Sequence, residues 1–398
     1  MRRRKNNEGH YGEKTIKGVV YKYYRFPGMG AEVYAKTAKE LEEKKKKKER
    51  ELLEKEETKN PKKMTLYAVC TQWLKSVHGK ISPRTYDDYE SIIENRIKSL
   101  EFGNLQACSI TINDVTAYLA RMSKKYSKAS IDKTWAVLKQ AIAYGLDEEI
   151  ISGNFDFRKV TKPREQDVAI KKREIQCIDP ADMELLFKEC YRVNGLGTPY
   201  YGRGSKVIVF IMYSGTRISE AMGLQWKYVA KDLSSVKIRQ SLSRIVERDN
   251  DGNAITEGRH KKSKTIMKET KTASGERDIP LPDRAIEVLK YFHELYPNHG
   301  PDDLVFRTDK GTPYSKTNLN HTLDTILKNS SCTCKEYTPH SLRHGYGSVL
   351  LSEGVYIKVV SKLLGHKDIQ TTYDIYIHVL KNDDKEAVLR VFNKNAKH

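Results

Sequence analysis

Five separated segments set ionisable or hydroxyl side chains beside apolar runs: Ser214-Gly-Thr-Arg217-Ile-Ser-Glu220, Lys271-Thr-Ala-Ser-Gly275, His340-Ser-Leu-Arg343-His344, Leu364-Gly-His366 and Thr371-Thr-Tyr373-Asp-Ile-Tyr376-Ile-His378. A guanidinium keeps its charge at any physiological pH and forks two N–H bonds onto phosphate oxygens, a geometry lysine lacks, so Arg217 and Arg343 suit a phosphate. His340 and Arg343 are three apart and share one face of a helix, so both can point into one site. His366 begins or precedes a helix and can donate to the same phosphate. Glu220, one turn beyond Arg217, can orient that guanidinium through a charge-assisted hydrogen bond. The competing chemistry is a metal centre, since His340 and His344 stand four apart as helical zinc ligands do. No H-E-x-x-H pattern or carboxylate cluster accompanies them, and Cys332 and Cys334 lack a second Cys/His pair, so no metal is read. Taken singly, each segment reads as well as a helix-start charge or a core tyrosine.

Together and in this order the segments resemble the tyrosine recombinase family of phage integrases, most of all the integrases of conjugative transposons. The family's order is an Arg in G-x-R-x-x-E, a Lys in a β-hairpin turn, an H-x-x-R pair, a His after L-G and a Tyr nine or ten residues on. The matching stretches here are GTRISE, TKTASG, HSLRH, LLGHKD and Tyr376, ten residues after His366. The resemblance covers residues 205–380 in motif and the region before them in architecture. It implies a catalytic set of Arg217, Lys271, His340, Arg343, His366 and Tyr376, with Glu220 in support. Tyr376 would displace a bridging oxygen to leave a 3′-phosphotyrosine and a free 5′ hydroxyl, conserving the phosphodiester energy without ATP, metal or other cofactor. Lys271 would protonate the leaving oxygen. Lys264 and Lys268 lie in the same hairpin, and only the fit of KTASGERDIPL to the family's turn selects Lys271. Tyr373 shares a helical face with Tyr376 and is the rival nucleophile; spacing and the trailing Ile377-His378 favour Tyr376.

The function implied is site-specific cleavage, exchange and religation of DNA strands, integrating and excising a mobile element. The partners implied are double-stranded DNA at core and arm-type sites, further copies in a homotetramer, an excisionase and a host DNA-bending protein. Two other readings stay open: a non-catalytic DNA-binding regulator of the same fold, and a type IB topoisomerase.

These residues need elements to hold them. Length alone, 398 residues, calls for two or three domains. The expected fold is mainly α with small β-sheets: a small β arm-binding domain with a charged helical linker (1–62), a helical core-binding bundle (63–158), an inter-domain linker (159–177) and a mixed α/β catalytic domain with its tail (178–398). Thr15 to Phe26 reads as a strand or hairpin turning at Pro27-Gly28, and 35–57 as a solvated helix. Leu66, Val69, Cys70, Trp73, Leu74 and Val77 recur at helical spacing; Ser82-Pro83 opens a second helix to about Leu100, Thr111 a third, and Ser127 or Ser130 a fourth. On the bundle's exposed side, Lys80, Arg84, Arg96, Lys124, Lys125, Lys128 and Lys133 are the candidate phosphate contacts. The stretch RKVTKPREQDVAIKKREI reads as too polar to pack. Asp179-Pro180 caps the first catalytic-domain helix, and strands near 236–245 and 277–281 flank a long hairpin insertion. In the tail, Val379, Leu380, Val388, Leu389, Val391 and Phe392 form an apolar set that packs either on its own domain or on a neighbour.

Charge and cysteines bound the setting. Lys+Arg 72 against Asp+Glu 52 leaves +20, a surplus that favours a polyanionic partner. Six scattered cysteines give no disulfide framework and fit a reducing bacterial cytoplasm. No run is long enough to span a membrane, so no membrane partner is expected.

Overall fold

Strand formers at the amino end pair as a meander: β1 (His10–Ile16), β2 (Val19–Arg25) and β3 (Glu32–Ala35) form an antiparallel sheet in the order β1-β2-β3. The first turn falls at Gly18, where φ is +77°, a conformation that only glycine adopts without strain. β1 therefore begins five residues earlier than the hydrophobic pattern suggested. It is exposed along nearly its whole length and so carries no apolar alternation to betray it. Tyr24, Phe26 and Ala35 bury one face of the sheet against Leu41 at the start of α1 (Ala38–Lys59).

This computed structural model describes residues 9–16, 18–26, 31–59, 63–98, 101–171, 177–269 and 275–380, with side chains omitted for 50–59 and 377–380. The chain divides into two units, 1–172 with 248–255, and 173–247 with 256–398.

The helical bundle follows its capping signals. α2 (Leu66–Ser76) starts at Thr65, whose hydroxyl accepts from Ala68 N (3.2 Å). α3 (Pro83–Ile92) starts at Ser82 with proline at the first helical position. α4 (Ile112–Met122) has a Thr111/Asp114 capping box, and α5 (Lys128–Asp147) follows Ser127. The helix expected to run to Leu100 instead widens into a π turn at Ile93–Ile97, where Lys98 N reaches Ile93 O (2.9 Å). The wider turn lets Ile92, Ile93 and Ile97 all be buried. The expected open linker is partly wrong as well: Val160 and Val168 are buried in the bundle core, and Ala169 N donates to Ser123 O (2.8 Å). Two valines among many charges were enough to fasten it. The segment Arg248–Ile255 also belongs to this unit, where Arg248 pairs with Asp87 (2.6 Å) and Glu90 (2.9 Å).

The second unit opens with α6 (Pro180–Cys190), capped by Asp179. Its centre is α7 (Gly204–Ser214), whose Val207 to Met212 are all buried, the pattern of a helix apolar all round. Each such side chain contributes about 1.5–3 kcal/mol on burial. After α8 (Ile218–Met222) come β4 (Ser235–Ile238), β5 (Gln240–Val246), β6 (Thr256–Glu257), β7 (His260–Lys261), β8 (Ser263–Glu269) and β9 (Arg277–Pro280). β4 pairs with β9, β5 with β8 and β6 with β7, all antiparallel, so the insertion is a hairpin nested inside a shorter one. α9 (Asp283–Leu295), α10 (Lys316–Asn329), α11 (Pro339–Ser352), α12 (Ile357–Leu364) and α13 (Ile369–Leu380) complete it. α9, α10 and α11 pack on α7. Among the described residues no helix is long and apolar enough to cross a membrane.

Candidate active site

The site is built around the end of one short helix. α12 stops at Gly365, which takes the left-handed conformation (φ +66°). Gly365 N then bonds Lys362 O (3.0 Å) and His366 N bonds Ser361 O (3.1 Å), a Schellman closure. That closure leaves three successive carbonyls without helical partners, and an arginine takes each. Arg277 Nε donates to Leu363 O (2.6 Å), Arg343 Nη2 to Leu364 O, and Arg217 Nη2 to Gly365 O (3.1 Å). The partial negative charge at a helix C-terminus favours cations there.

Glu220 ties the same three arginines from the other side. Its carboxylate accepts from Arg217 Nη1 (2.6 Å) and Arg277 Nη2 (2.7 Å), and lies 3.9 Å from Arg343 Nη1. It also accepts from Arg217 N (2.8 Å), so one side chain caps α8 and orients the guanidinium at its start. Burial by itself would raise the Glu220 carboxyl, but the Arg277 hydrogen bond and the charges of Arg277, Arg217 and Arg343 hold its pKa down to about 2. A carboxylate depressed on folding contributes stability that is complete above its unfolded pKa and is lost as pH falls through the folded one. Glu220→Gln is therefore expected to lower stability at neutral pH by about 3 kcal/mol. It should also flatten the acid loss between about pH 4.5 and about pH 2, a window that urea melts across the range will read.

Arg343 is nearly enclosed, with 2% of its side chain exposed, and its other nitrogen donates to Gly215 O (2.8 Å). Gly215 ends α7 with φ +64°, and a side chain there would collide with the Tyr346 ring. Burial first, then Arg217, pushes the Arg343 guanidinium below its usual pKa. Arg217 keeps about a third of its side chain exposed. His340 is exposed on the first turn of α11. The α11 start is anchored from below by buried Asp182, which accepts from Thr333 N (2.8 Å), Thr333 Oγ1 (2.7 Å), Cys334 N (3.3 Å) and Tyr337 Oη (2.9 Å). The Cys332/Cys334 pair thus shapes a turn: Cys332 Sγ donates to Asp182 O (3.5 Å), and Cys334 Sγ accepts from Glu336 N (3.4 Å).

His366 leaves the Schellman turn half-buried, with Nδ1 2.8 Å from Thr372 Oγ1. Burial, followed by Arg343, Arg217, His344 and Arg277, pushes its pKa down to about 4, so the ring is neutral at physiological pH. Tyr376 is fully buried with Leu351, Val360 and Leu364. Its hydroxyl lies 3.3 Å from His344 Nδ1, above Gly347, where any side chain would strike the phenol. Burial raises its pKa, opposed by the charge of Arg343. Burial, then His340 and Arg343, pushes His344 down to about 4. Tyr373, by contrast, is 43% exposed.

The structure thus gathers Arg217, Glu220, Arg343 and His366 around one helix end, with His340 on the helix that carries Arg343 and Tyr376 on the helix that follows His366. Lys271 lies outside the described residues, between β8 and β9, as do residues 381–398 of the tail. Three residues were missed. Arg277 was legible in principle, because strand alternation sets it in phase with buried Ile279 and Leu281, an odd place for an unpartnered charge. Thr372 stands four before Tyr376 on one helical face, and His344 four after His340.

Among the proposed phosphate contacts of the bundle, Lys80, Arg84, Lys124, Lys125 and Lys133 are exposed. Arg84 is paired with Asp88 (3.1 Å) and Lys128 with Asp132. Arg96 instead turns inward: one nitrogen donates to both Ser130 O and Thr134 Oγ1 (2.8 Å each), and the group lies over Tyr126. That nitrogen braces the start of α5.

Comparison with known proteins gives the family of the chain. Residues 176–383 match the Phage integrase family, and 65–123 match the phage integrase N-terminal SAM-like domain. A XerC-like tyrosine recombinase of Caldanaerobacter subterraneus is 26% identical over 343 residues, covering 82% of each chain. The integrase of Staphylococcus phage L54a is also 26% identical, over 82% of this chain and 92% of its own. In structure, the Tn1549 transposon integrase in complex with transposon right end DNA matches at a TM-score of 0.61 and 20% identity, over 81% of this chain and 99% of that one. A lambda integrase dimer bound to a core site matches at 0.55 and 16%, over 92% and 94%. The chain belongs to the phage integrase family and is a tyrosine recombinase, an enzyme of site-specific DNA recombination.

Proposed function

We propose that this recombinase cleaves DNA by in-line attack of the Tyr376 hydroxyl on a phosphate held by Arg217, Arg343, His340 and His366, leaving a 3′-phosphotyrosine. The observation that carries the reading is the convergence of three guanidinium groups on the carbonyl end of α12, directly before His366. Phosphoryl transfer asks little covalent chemistry of a protein; it asks for positioning and for fixed cations facing the non-bridging oxygens. A frame that locks arginines by backbone carbonyls and one carboxylate meets that need without reorganisation during the reaction. Tyr376 has to leave its niche beside His344 to reach a phosphate, because a buried phenol of raised pKa is a poor nucleophile. Lys271, which falls between β8 and β9 in the sequence, is the proposed general acid for the leaving 5′ oxygen.

Incubation with nicked DNA carrying the element's own junction, followed by denaturing electrophoresis, tests this. A protein–DNA adduct is expected. Binding without an adduct would favour a regulator; relaxation of supercoiled DNA lacking any junction would favour a topoisomerase.

Exchange between two duplexes breaks four strands, so four protomers, one per break, form the proposed assembly. An excisionase and a host bending protein are proposed on family resemblance. The amino-terminal sheet is the proposed arm-site reader. The face opposite its α1-packed side carries Lys14, Tyr23, Arg25 and Tyr34, and a small sheet fits a major groove. Core-site affinity should fall steeply with salt as bound phosphates release counterions. Changing Lys124 and Lys125 together to Gln should reduce the log–log salt slope by about 2, measured by fluorescence anisotropy. An unchanged slope would remove those two lysines from the interface.

A further inference from the structure

The bond between His366 and Thr372 ties two things that the motif pattern treats separately. Thr372 is fully buried, one helical turn before Tyr376 and on the same face of α13. A buried hydroxyl keeps its proton in a hydrogen bond. Among the described residues, the acceptor found for the Thr372 hydroxyl is His366 Nδ1, 2.8 Å away. If Nδ1 accepts, the single proton of a neutral imidazole sits on Nε2. The reverse tautomer would leave the Thr372 proton unsatisfied inside the protein and would turn a lone pair toward any phosphate that Nε2 faces.

We infer that Thr372 is a positioning residue that fixes the tautomer of His366, holding Nδ1 as acceptor so that Nε2–H is presented as a donor to the scissile phosphate. The catalytic consequence rests on the proposed role of His366; the tautomer itself does not. Burial and, after it, the neighbouring arginines oppose a second proton on the ring, so the donor has to come from the neutral form. Because Thr372 lies on the helix of the nucleophile, the same bond makes His366 a donor only while that helix is seated against the α12 turn. Movement of α13 that frees Tyr376 without carrying the turn along would release the constraint on His366.

The test uses the full-length protein in two measurements. Imidazole 15N shifts, assigned with His366→Gln, should show a protonated Nε2 and an accepting Nδ1 in the unaltered protein. Thr372→Val, close to isosteric, should move the ring toward a mixture of tautomers, and Thr372→Ser should restore the original. In the second measurement, adduct formation on nicked DNA should slow roughly tenfold in Thr372→Val, about the worth of one hydrogen bond, and recover in Thr372→Ser. Thr372→Val should add no further loss in a His366→Gln background. An Nδ1–H tautomer in the unaltered protein overturns the inference. So does a tenfold loss from Thr372→Val that persists in the His366→Gln background, which would make Thr372 part of the general packing. Adduct formation at the normal rate in His366→Gln would instead overturn the role assigned to His366 and the catalytic consequence with it, leaving the tautomer to stand or fall by the shifts alone.

Discussion

Replacing Tyr376 with Phe is expected to abolish covalent capture of nicked DNA, by roughly 10⁴-fold or more, while leaving affinity for the same DNA unchanged. The change removes one oxygen and keeps the ring that packs against Leu351, Val360 and Leu364. Stability should therefore shift by no more than about 1 kcal/mol, the net worth of a hydrogen bond such as that to His344. Tyr373→Phe is the matched control. Tyr373 is 43% exposed whereas Tyr376 is buried, and capture should proceed at the original rate. Loss of capture in Tyr373→Phe with retention in Tyr376→Phe would exchange the two assignments.

Arg277→Met should have the largest effect on stability. Its side chain is 1% exposed and spends its donors on both Glu220 oxygens, Leu363 O and Gly275 O. Removing the guanidinium takes two hydrogen bonds from a buried carboxylate, which keeps those of Arg217, and leaves a helix-end carbonyl without its partner. Breaking a buried ion pair from one side destabilises by about 3–5 kcal/mol. Capture should fall too, even at temperatures where the variant is folded, because Glu220 also orients Arg217 and approaches Arg343. Arg277→Lys keeps the charge but cannot serve a carboxylate and two carbonyls at once, so it should recover only part of each property. Urea midpoints and capture rates measured side by side decide the matter. An Arg277→Met protein with the original midpoint and rate would show that the three-arginine frame contributes nothing.

Much of the fold was legible because local chemistry and global structure agree in this chain. Ser82-Pro83, Thr111 and Asp179-Pro180 announce helix starts, and each does cap the helix expected there. The unbroken apolar run of α7 marks the centre of the second unit. Failures came where tertiary contacts overrule local pattern. β1 is an exposed edge strand with no apolar period; Val160 and Val168 anchor a stretch whose composition reads as solvated; a π turn interrupts the helix after Ile92. In the site, the types and order of Arg217, His340, Arg343, His366 and Tyr376 could be read, since they carry the motif. Strand spacing marks Arg277 as inward-facing, but it gives neither Arg277 nor Thr372 a partner, because their roles exist only where Leu363 O and His366 Nδ1 come to lie beside them. Arg96 shows the converse. A basic residue on a helix looks like a surface phosphate contact, yet the structure turns one guanidinium nitrogen inward to Ser130 and Thr134.

The most direct test is to trap the recombinase on nicked junction DNA, digest the adduct with protease and nuclease, and locate the nucleotide by mass spectrometry. The expected result is one modified peptide, carrying a 3′-linked nucleotide on the Tyr376 oxygen. A nucleotide on Tyr373, on a serine, or on no residue at all under conditions where strands are exchanged would contradict the assignment of Tyr376 as the group that breaks and remakes the DNA.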